Sequence, residues 1–179
     1  VYGITGMFYQ NSLNSGIIPQ LAAIMGACTG GAVYSAALCD FFTQVEKTTH
    51  AFITAPAVIK EVTREEVSFE ALGGANVHST KSGVAHLSAK DDRTCLDAIK
   101  HLLEYLPQNN LERPAIKECS DPVDRETPEL IDLVPIQMHK VYDMLQVIKT
   151  VVDDGQFFEI HPRFAQNLVV GFARLAGQV

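Results

Sequence analysis

The residues best suited to chemistry lie in a glycine-rich segment, residues 26–32, with the sequence GACTGGA. The surrounding pattern predicts a buried strand, then a turn at the Gly30-Gly31 pair, then a helix. Adjacent residues without side chains let a ligand approach the main chain, and the first N–H groups of a helix have no intrahelical partner. Such a segment can bind a phosphate or stabilise an oxyanion or enolate. Tight strand–helix packing without a ligand accounts for the same spacing equally well.

Nucleotide binding is not what this glycine spacing indicates. The phosphate-binding pattern Gly-x-x-x-x-Gly-Lys-Ser/Thr is absent, and the spacing differs from the dinucleotide fingerprint. Cys28 lies beside the glycine pair and could act as a nucleophile, but no histidine is near it in the sequence. We therefore interpret Cys28 as a small buried packing residue.

A second polar segment, residues 73–86, contains His78, Ser82 and His86 at intervals of four. A Ser/His nucleophile is conceivable there, but no Gly-x-Ser-x-Gly elbow supports it. Its glycines weaken the case for a helix, so we expect a polar loop that covers an active site or a subunit contact. Two histidines alone do not indicate a metal site, and we expect no metal.

Three acidic residues near the C-terminus, Asp153, Asp154 and Glu159, could in principle perform acid–base catalysis. They lie beside Gly155, where a helix is predicted to end. A solvated turn is the simpler interpretation of this acidic group.

Composition excludes some classes of function. The net charge is -7, no Lys/Arg cluster occurs, and Trp is absent, so nucleic-acid binding is not expected. Residues 18–39 are uncharged over nearly the length of a membrane span, but their proline and glycines favour a buried strand, turn and helix over membrane insertion. The four cysteines form no zinc-binding spacing and are expected to be reduced thiols of an intracellular protein.

The elements that must position these residues alternate in type. Strands are predicted at 20–25, 48–54, 157–160 and 168–175, and helices at 32–40, from Pro56, at 68–72, from Asp91 to Pro107, and at 144–152. We expect Gly73 to end the third of these helices in the left-handed conformation. Strands alternating with helices indicate an α/β fold. Five of the eight prolines lie within residues 107–135, which indicates a linker.

Eight short sequence motifs, spread over nearly the whole chain, are distinctive when taken together. They are SGIIPQ at 15–20, IMGACTGGAVYS at 24–35, FITAPAVIK at 52–60, LGGA at 72–75, SGVAH at 82–86, DPVDR at 121–125, VDDGQFFE at 152–159 and NLVVGFARL at 167–175. In this order they resemble the biotin-dependent acyl-CoA carboxyltransferases, most of all the propionyl-CoA carboxylase type. Ala27 and Ala36 stand where that family usually has Pro, and Ala55 where it has Gly. Since Ala27 and Ala36 flank the Gly30-Gly31 turn, loss of the fixed φ of proline is expected to loosen that turn.

The resemblance implies a fold and a domain plan. Family members contain two crotonase-like α/β domains, each a spiral of strand pairs and helices. Residues 1–108 would be the later part of the N-terminal, acyl-CoA domain, residues 109–140 a linker, and residues 141–179 the start of the C-terminal, biotin domain. The chain would then be about a third of a subunit.

The resemblance also implies an activity and its site. The family transfers a carboxyl group from carboxybiotin to the α-carbon of propionyl-CoA or a similar short acyl-CoA, through an enolate held by backbone amides. The amides of Gly30 and Gly31 would hold the enolate oxygen. Further residues expected to bind the CoA thioester are Cys28, Thr29, Ala32, Tyr34, Gly73 and Gly74. Since the biotin ureido nitrogen takes the α-proton, no side-chain base is expected.

The implied partners are further copies of the subunit, in a hexamer, and a biotin carboxylase or biotin carrier subunit. The expected compartment is the mitochondrial matrix or a bacterial cytoplasm. Two alternatives remain open. The subunit could belong to a methylmalonyl-CoA decarboxylase or a transcarboxylase of the same family, or the chain could be an inactive structural fragment.

Overall fold

The computed structural model describes residues 3–137 and 139–179. The strands are β1 Leu21–Ile24, β2 Ala27–Thr29, β3 Phe41–Val45, β4 His50–Phe52, β5 Leu87–Ala89, β6 Phe157–Ile160 and β7 Val170–Ala173. The helices are α1 Ile4–Asn14, α2 Gly31–Ala37, α3 Pro56–Thr63, α4 Phe69–Gly73, α5 Ala75–Thr80, α6 Asp92–Leu103, α7 Leu130–Leu133 and α8 Met144–Val151, with a 3₁₀ turn at Asp153–Gly155. The predicted α/β class is confirmed.

Consecutive strands alternate between two parallel sheets. One sheet has the order β1-β3-β5, and the other consists of β2 and β4. Parallel strands need a crossover connection, and α2 supplies it between the first strand pair and the second. The alternation places the end of β2, where the glycine turn begins, directly beside β4.

The core lies between α2 and these sheets and is built mostly of small side chains. Phe42 of β3 is the largest member of the buried cluster and is only 2% exposed. Four of the five β3 positions are buried, as expected for a central parallel strand covered on both faces. The other members of the cluster are Ala22, Ile24, Cys28, Val33, Ala36, Ala51 and Ala85.

A buried polar side chain connects β3 to the end of α4. The amide nitrogen of Gln44 donates to the carbonyl of Gly73 at 2.9 Å and more weakly to that of Thr49 at 3.5 Å. The Thr49 hydroxyl donates in turn to the carbonyl of Val45 at 2.5 Å. Since buried polar groups are costly when unpaired, the bond from Gln44 to Gly73 helps to hold the end of α4 against β3, although Oε1 of the same side chain has no partner among the described residues.

The antiparallel pair of β6 and β7 packs against the end of α6 through aromatic rings. Tyr105 stacks on Phe158 and Phe172, with centroids 5.8 and 5.9 Å apart. The guanidinium of Arg174 lies 5.1 Å from the Tyr105 ring centroid and donates to the carbonyl of Glu104. This cation–π contact and hydrogen bond attach residues 157–179 to the first part of the chain.

Most predicted elements are confirmed, several with shorter bounds. The strand at 157–160 and the helix from Pro56 occur as predicted, and α6 begins after Asp91, whose side chain accepts from the Thr94 amide. The prediction that Gly73 ends α4 in the left-handed conformation is wrong. Gly73 is the last residue of α4 and has no positive φ, and its lack of a side chain is needed for packing.

Two wider expectations can be compared with the described residues. All four cysteines are free thiols. Among the helices of residues 3–137 and 139–179, none is long and apolar enough to cross a membrane.

Candidate active site at the Gly30 turn

The turn between β2 and α2 depends on the backbone conformation of Gly30. Its φ is 58° and its ψ is -127°, a combination that residues with a side chain rarely adopt. A Cβ built at this position would meet no heavy atom within 4 Å. Glycine is therefore required here by conformation, and the space beside it is open to a ligand.

The two amides of the predicted oxyanion pair differ in their hydrogen bonding. The Gly30 N–H donates to the carbonyl of Phe52 at 3.3 Å, so it already has a partner in β4. Gly31 is the first residue of α2, and its N–H donates no backbone hydrogen bond within the described part of the chain. The same holds for Ala32, which is exposed. The open donors at this turn are therefore those of Gly31 and Ala32.

The β2 strand leading into the turn is short and one side of it is buried. Cys28 pairs with Ala51 of β4, and Thr29 pairs with Phe52. The Cys28 side chain is buried in the core, and this burial raises the pKa of its thiol. A protonated, buried thiol is a poor nucleophile. The interpretation of Cys28 as a packing residue is confirmed, and its predicted contact with the substrate stays a prediction.

An apolar cavity of about 390 Å³ is lined by residues of α2, β4 and α3. Its wall begins at Val33, two residues after Gly31, and includes the half-exposed ring of Tyr34. Phe52, whose carbonyl accepts from Gly30, forms part of the same wall. The remaining lining residues are Ala37, Phe42, Ala51, Ile53, Thr54, Ile59, Leu72, His78 and Val84. Gly31 and Ala32, the residues with the open amides, do not line this cavity; together with Cys28 and Ser35 they line a second cavity of about 350 Å³.

One of the cavity residues, His78, has both ring nitrogens in hydrogen bonds. Its Nε2 is 2.7 Å from the carbonyl oxygen of Ala51, and its Nδ1 is 2.8 Å from the Ser82 hydroxyl. His78 belongs to α5, so the expectation that residues 73–86 form a loop is wrong for residues 75–80. Its short polar side chains and flanking glycines have low helix propensity, so the sequence pattern did not indicate a helix.

Gly73 and Gly74 are needed where α4 and α5 meet β4. A Cβ on Gly73 would lie 2.4 Å from the carbonyl oxygen of Ala51, and one on Gly74 would lie 2.3 Å from the Glu70 side chain. Both residues are buried. The structure thus brings them to β4, the strand that pairs with β2, and their predicted contact with substrate stays a prediction.

His86 does not join His78 and Ser82, although the sequence spacing placed the three in one series. Its Nδ1 accepts from the Phe42 amide at 3.0 Å, and its ring lies 4.6 Å from that of His161. Burial, and then the neighbouring His161, lowers the pKa of His86. His86 therefore contributes to the contact between β3 and the C-terminal segment.

The acidic group is structural. Asp153 is buried, and its carboxylate accepts from the amides of Gly177 at 2.7 Å and Ala176 at 3.0 Å, so the solvated-turn interpretation is wrong for this residue. The Gly177 N–H is the main cause of its lowered pKa. Asp154 accepts from the Ser120 hydroxyl at 2.6 Å, and Glu159 lies in β6. In residues 3–137 and 139–179, no three His, Cys, Asp or Glu side chains converge as metal ligands would.

Comparisons with known proteins agree over the whole chain. Residues 1–179 match the family model described as the carboxyl transferase domain. The propionyl-CoA carboxylase carboxyltransferase subunit of Haloferax mediterranei is 51% identical over 98% of this chain and 34% of its own length. The methylmalonyl-CoA decarboxylase subunit alpha of Propionigenium modestum is 45% identical over 98% of this chain and 34% of its own length. The chain therefore belongs to the carboxyl transferase family, and it spans about a third of the curated relatives it matches.

A solved structure shows the same fold. The transcarboxylase 12S hexamer assembly with hydrolyzed methylmalonyl-coenzyme A bound is 44% identical, with a TM-score of 0.93. The match covers 98% of this chain and 34% of the transcarboxylase chain. The predicted family is confirmed, and so is the α/β, crotonase-like fold, of which this chain is a part.

Proposed function

We propose that this chain is the acyl-CoA-binding part of a carboxyltransferase subunit, which transfers a carboxyl group from carboxybiotin to the α-carbon of propionyl-CoA or a similar short acyl-CoA. The observation that carries the proposal is the likeness, at 44% identity and a TM-score of 0.93, to transcarboxylase 12S with a methylmalonyl-CoA derivative bound. Because the chain spans a third of such proteins, the activity is proposed for the complete subunit that carries it.

The chemistry explains why open amides matter. Removal of the α-proton moves negative charge onto the thioester oxygen, and preorganised N–H donors stabilise that charge as it forms. Gly31, together with Ala32, has the open donors, while Gly30 turns the chain so that these donors are accessible. The predicted oxyanion pair thus has two roles: Gly30 shapes the turn and Gly31 donates.

Carboxybiotin would supply the carboxyl group as carbon dioxide, and its ureido nitrogen would take the α-proton. The enolate carbon then forms the new C–C bond to carbon dioxide, and the negative charge leaves the thioester oxygen for the new carboxylate. We assign no residue of this chain to biotin. We expect the amides that would hold its ureido oxygen to belong to another part of the complete subunit.

The apolar cavity suits the uncharged part of the thioester. Val33 and Tyr34 follow the open amides along α2, and Phe52, whose carbonyl accepts from Gly30, ends β4. A short acyl chain or the adjoining pantetheine arm could bury apolar surface in this cavity. We propose that the substrate also contacts main-chain atoms of Cys28, Thr29, Gly73 and Gly74.

The organisation of the complete subunit is proposed on the same grounds. Residues 1–108 would belong to the acyl-CoA domain, residues 109–140 would be the linker, and residues 141–179 would begin the biotin domain. The subunit would form a hexamer, because its structural relative, transcarboxylase 12S, is a hexamer assembly. It would work with a biotin-carrying partner in the mitochondrial matrix or a bacterial cytoplasm.

A methylmalonyl-CoA decarboxylase subunit is the second candidate, favoured by the 45% identity to the Propionigenium modestum protein. The same enolate and the same amides serve both directions of the transfer, so the turn does not separate them. Carboxylation of propionyl-CoA and decarboxylation of methylmalonyl-CoA, measured with one preparation, decide between the two.

The role of the turn is tested by Gly30→Val in the complete subunit with its biotin-carrying partner. Valine rarely adopts the φ of 58° and would place a branched side chain in the open space. We expect kcat to fall roughly 100-fold to 1000-fold, the effect of losing one oxyanion donor. Gly26→Val is the matched control, since a Cβ there meets nothing within 4 Å and no positive φ is required. An unchanged carboxylation rate in folded Gly30→Val would refute the assignment.

A further inference from the structure

We propose that His78 is a positioning residue for the Gly30 turn: its ring holds β4 in the place where Phe52 can anchor Gly30. The inference deepens the proposed function and rests on it only for the effect on catalysis. The contact itself can be tested without any activity. Neither composition nor spacing pointed to this role, because the two groups joined by the ring are distant in sequence.

The hydrogen bonds define the state of the ring. A carbonyl oxygen only accepts, so the 2.7 Å contact with Ala51 requires a proton on Nε2 of His78. In the neutral ring Nδ1 then accepts, and the Ser82 hydroxyl, 2.8 Å away, donates to it. Both nitrogens are occupied, so the ring orientation is determined from two sides and neither nitrogen is left for proton transfer.

Strand β4 connects the hydrogen bond of His78 to the Gly30 turn. Consecutive carbonyls of a strand point in opposite directions: that of Ala51 accepts from His78, and that of Phe52 accepts from Gly30. Ala51 is only 1% exposed. In the two-stranded sheet, β4 has β2 on one side, and on the other it meets the His78 ring and, through His50, a bridge to Gly74. Loss of the ring would remove the contact at Ala51, the residue next to Phe52, and the Gly30 amide would shift with Phe52.

The ring also belongs to the wall of the apolar cavity, where it meets the edge of Phe42 at a centroid distance of 6.5 Å. Its placement therefore serves two parts of the site at once. It supports β4, the strand whose last carbonyl accepts from Gly30, and it lines the cavity together with Val33 and Tyr34 of α2. A leucine would retain much of the apolar volume but neither hydrogen bond, which makes it the informative replacement.

The first experiment measures amide hydrogen exchange in His78→Leu, His78→Gln and the control His139→Leu, an exposed histidine. We expect roughly tenfold faster exchange at residues 28–31 and 50–53 in His78→Leu, with residues 21–24 unchanged. Glutamine can place an amide N–H near the Nε2 position, so His78→Gln should restore most of the protection. Unchanged exchange at 28–31 in His78→Leu would overturn the inference.

The second experiment measures kcat and KM for the acyl-CoA in the complete subunit with its biotin-carrying partner. A displaced donor weakens an interaction made mainly in the transition state, so we expect kcat to fall roughly tenfold to 100-fold with a KM change below about threefold. His78→Gln should recover kcat, and His139→Leu should match the unsubstituted enzyme. A loss of kcat that glutamine does not rescue would contradict positioning through the Ala51 bond.

The two proposals fail in different ways. If exchange at 28–31 rises as expected but neither Gly30→Val nor His78→Leu alters carboxylation, His78 holds the turn and the proposed function is wrong. If Gly30→Val abolishes carboxylation while His78→Leu changes neither exchange nor kcat, the proposed function stands and the role of His78 is wrong. Should His78→Leu not fold, Ser82→Ala replaces it, with a two- to fivefold rise in exchange at 28–31 expected and no rise counting against the inference.

Discussion

Gly73→Ala tests whether the close approach of α4 to β4 determines the stability of this fold. The new Cβ would lie 2.4 Å from the Ala51 carbonyl oxygen and 2.8 Å from Cδ1 of Phe52. Both neighbours belong to a strand, and ordinary contact requires roughly 3.5 Å. The helix end and β4 must therefore separate by about 1 Å, in a region that also contains the hydrogen bond from Gln44 to Gly73.

The expected cost follows from overpacking. Forcing an extra methyl group into a packed site destabilises a protein by about 1–3 kcal/mol. Ala would gain about 0.4–1 kcal/mol from the reduced freedom of the unfolded chain, which offsets part of this cost. The net loss should be about 0–2.5 kcal/mol, or a decrease of up to roughly 10 °C in Tm for a domain of this size, while the difference from a Gly→Ala variant without the clash should be the full cost of about 1–3 kcal/mol.

The assay is urea unfolding followed by circular dichroism, with Gly26→Ala as the matched control. A Cβ on Gly26 meets nothing within 4 Å, so the same substitution there should change the free energy of unfolding by less than about 0.5 kcal/mol or increase it slightly. Equal m-values would show that both variants unfold from comparable native states. If Gly73→Ala is as stable as Gly26→Ala, α4 is not pressed against β4, and the proposed packing of β4 is refuted.

Two further predictions concern pH. Because the pKa of His86 is lowered in the folded state, the unfolded chain binds the proton more readily, and the free energy of unfolding should fall as the pH drops below about 6.5. Urea midpoints measured between pH 7.5 and 5.5 test this dependence. The variant His86→Asn, whose side chain can still accept from the Phe42 amide, should show a smaller change of midpoint with pH. The pKa of Asp153 is also lowered, so its stabilisation is present above about pH 4 and is lost as the pH falls through the lowered pKa. Asp153→Asn should unfold at lower urea at pH 7 and lose part of the acid sensitivity, and an unchanged midpoint would show that the Gly177 and Ala176 contacts contribute nothing.

Periodic segments with clear end signals could be predicted well. In α6 the apolar face repeats over several turns and Asp91 caps the start, so the pattern alone gives its position. The strands β2, β3 and β5 were missed. They have three to five residues and are parallel, and β3 is buried on both faces, so little alternation of polar and apolar residues marks them.

In the candidate site, too, features with a local sequence signal could be predicted and features that depend on distant residues could not. The Gly30-Gly31 pair could be identified because adjacent glycines before a helix are a local signal. The partners of the turn could not, since the bond from Gly30 to Phe52 and the bond from His78 to Ala51 each join residues more than 20 positions apart. No local pattern reports which strand lies beside another.

Residue types and their order along the chain were enough to indicate an α/β protein, to mark the glycine turn and to suggest the family. Tertiary structure alone decided which of the two amides is open, and that His78 rather than His86 lies against β4. The physical reason is that an amide or a thiol has the same local sequence whether or not the fold provides it with a partner. Only the pairing of distant segments determines which donors are used inside the protein and which remain for a ligand.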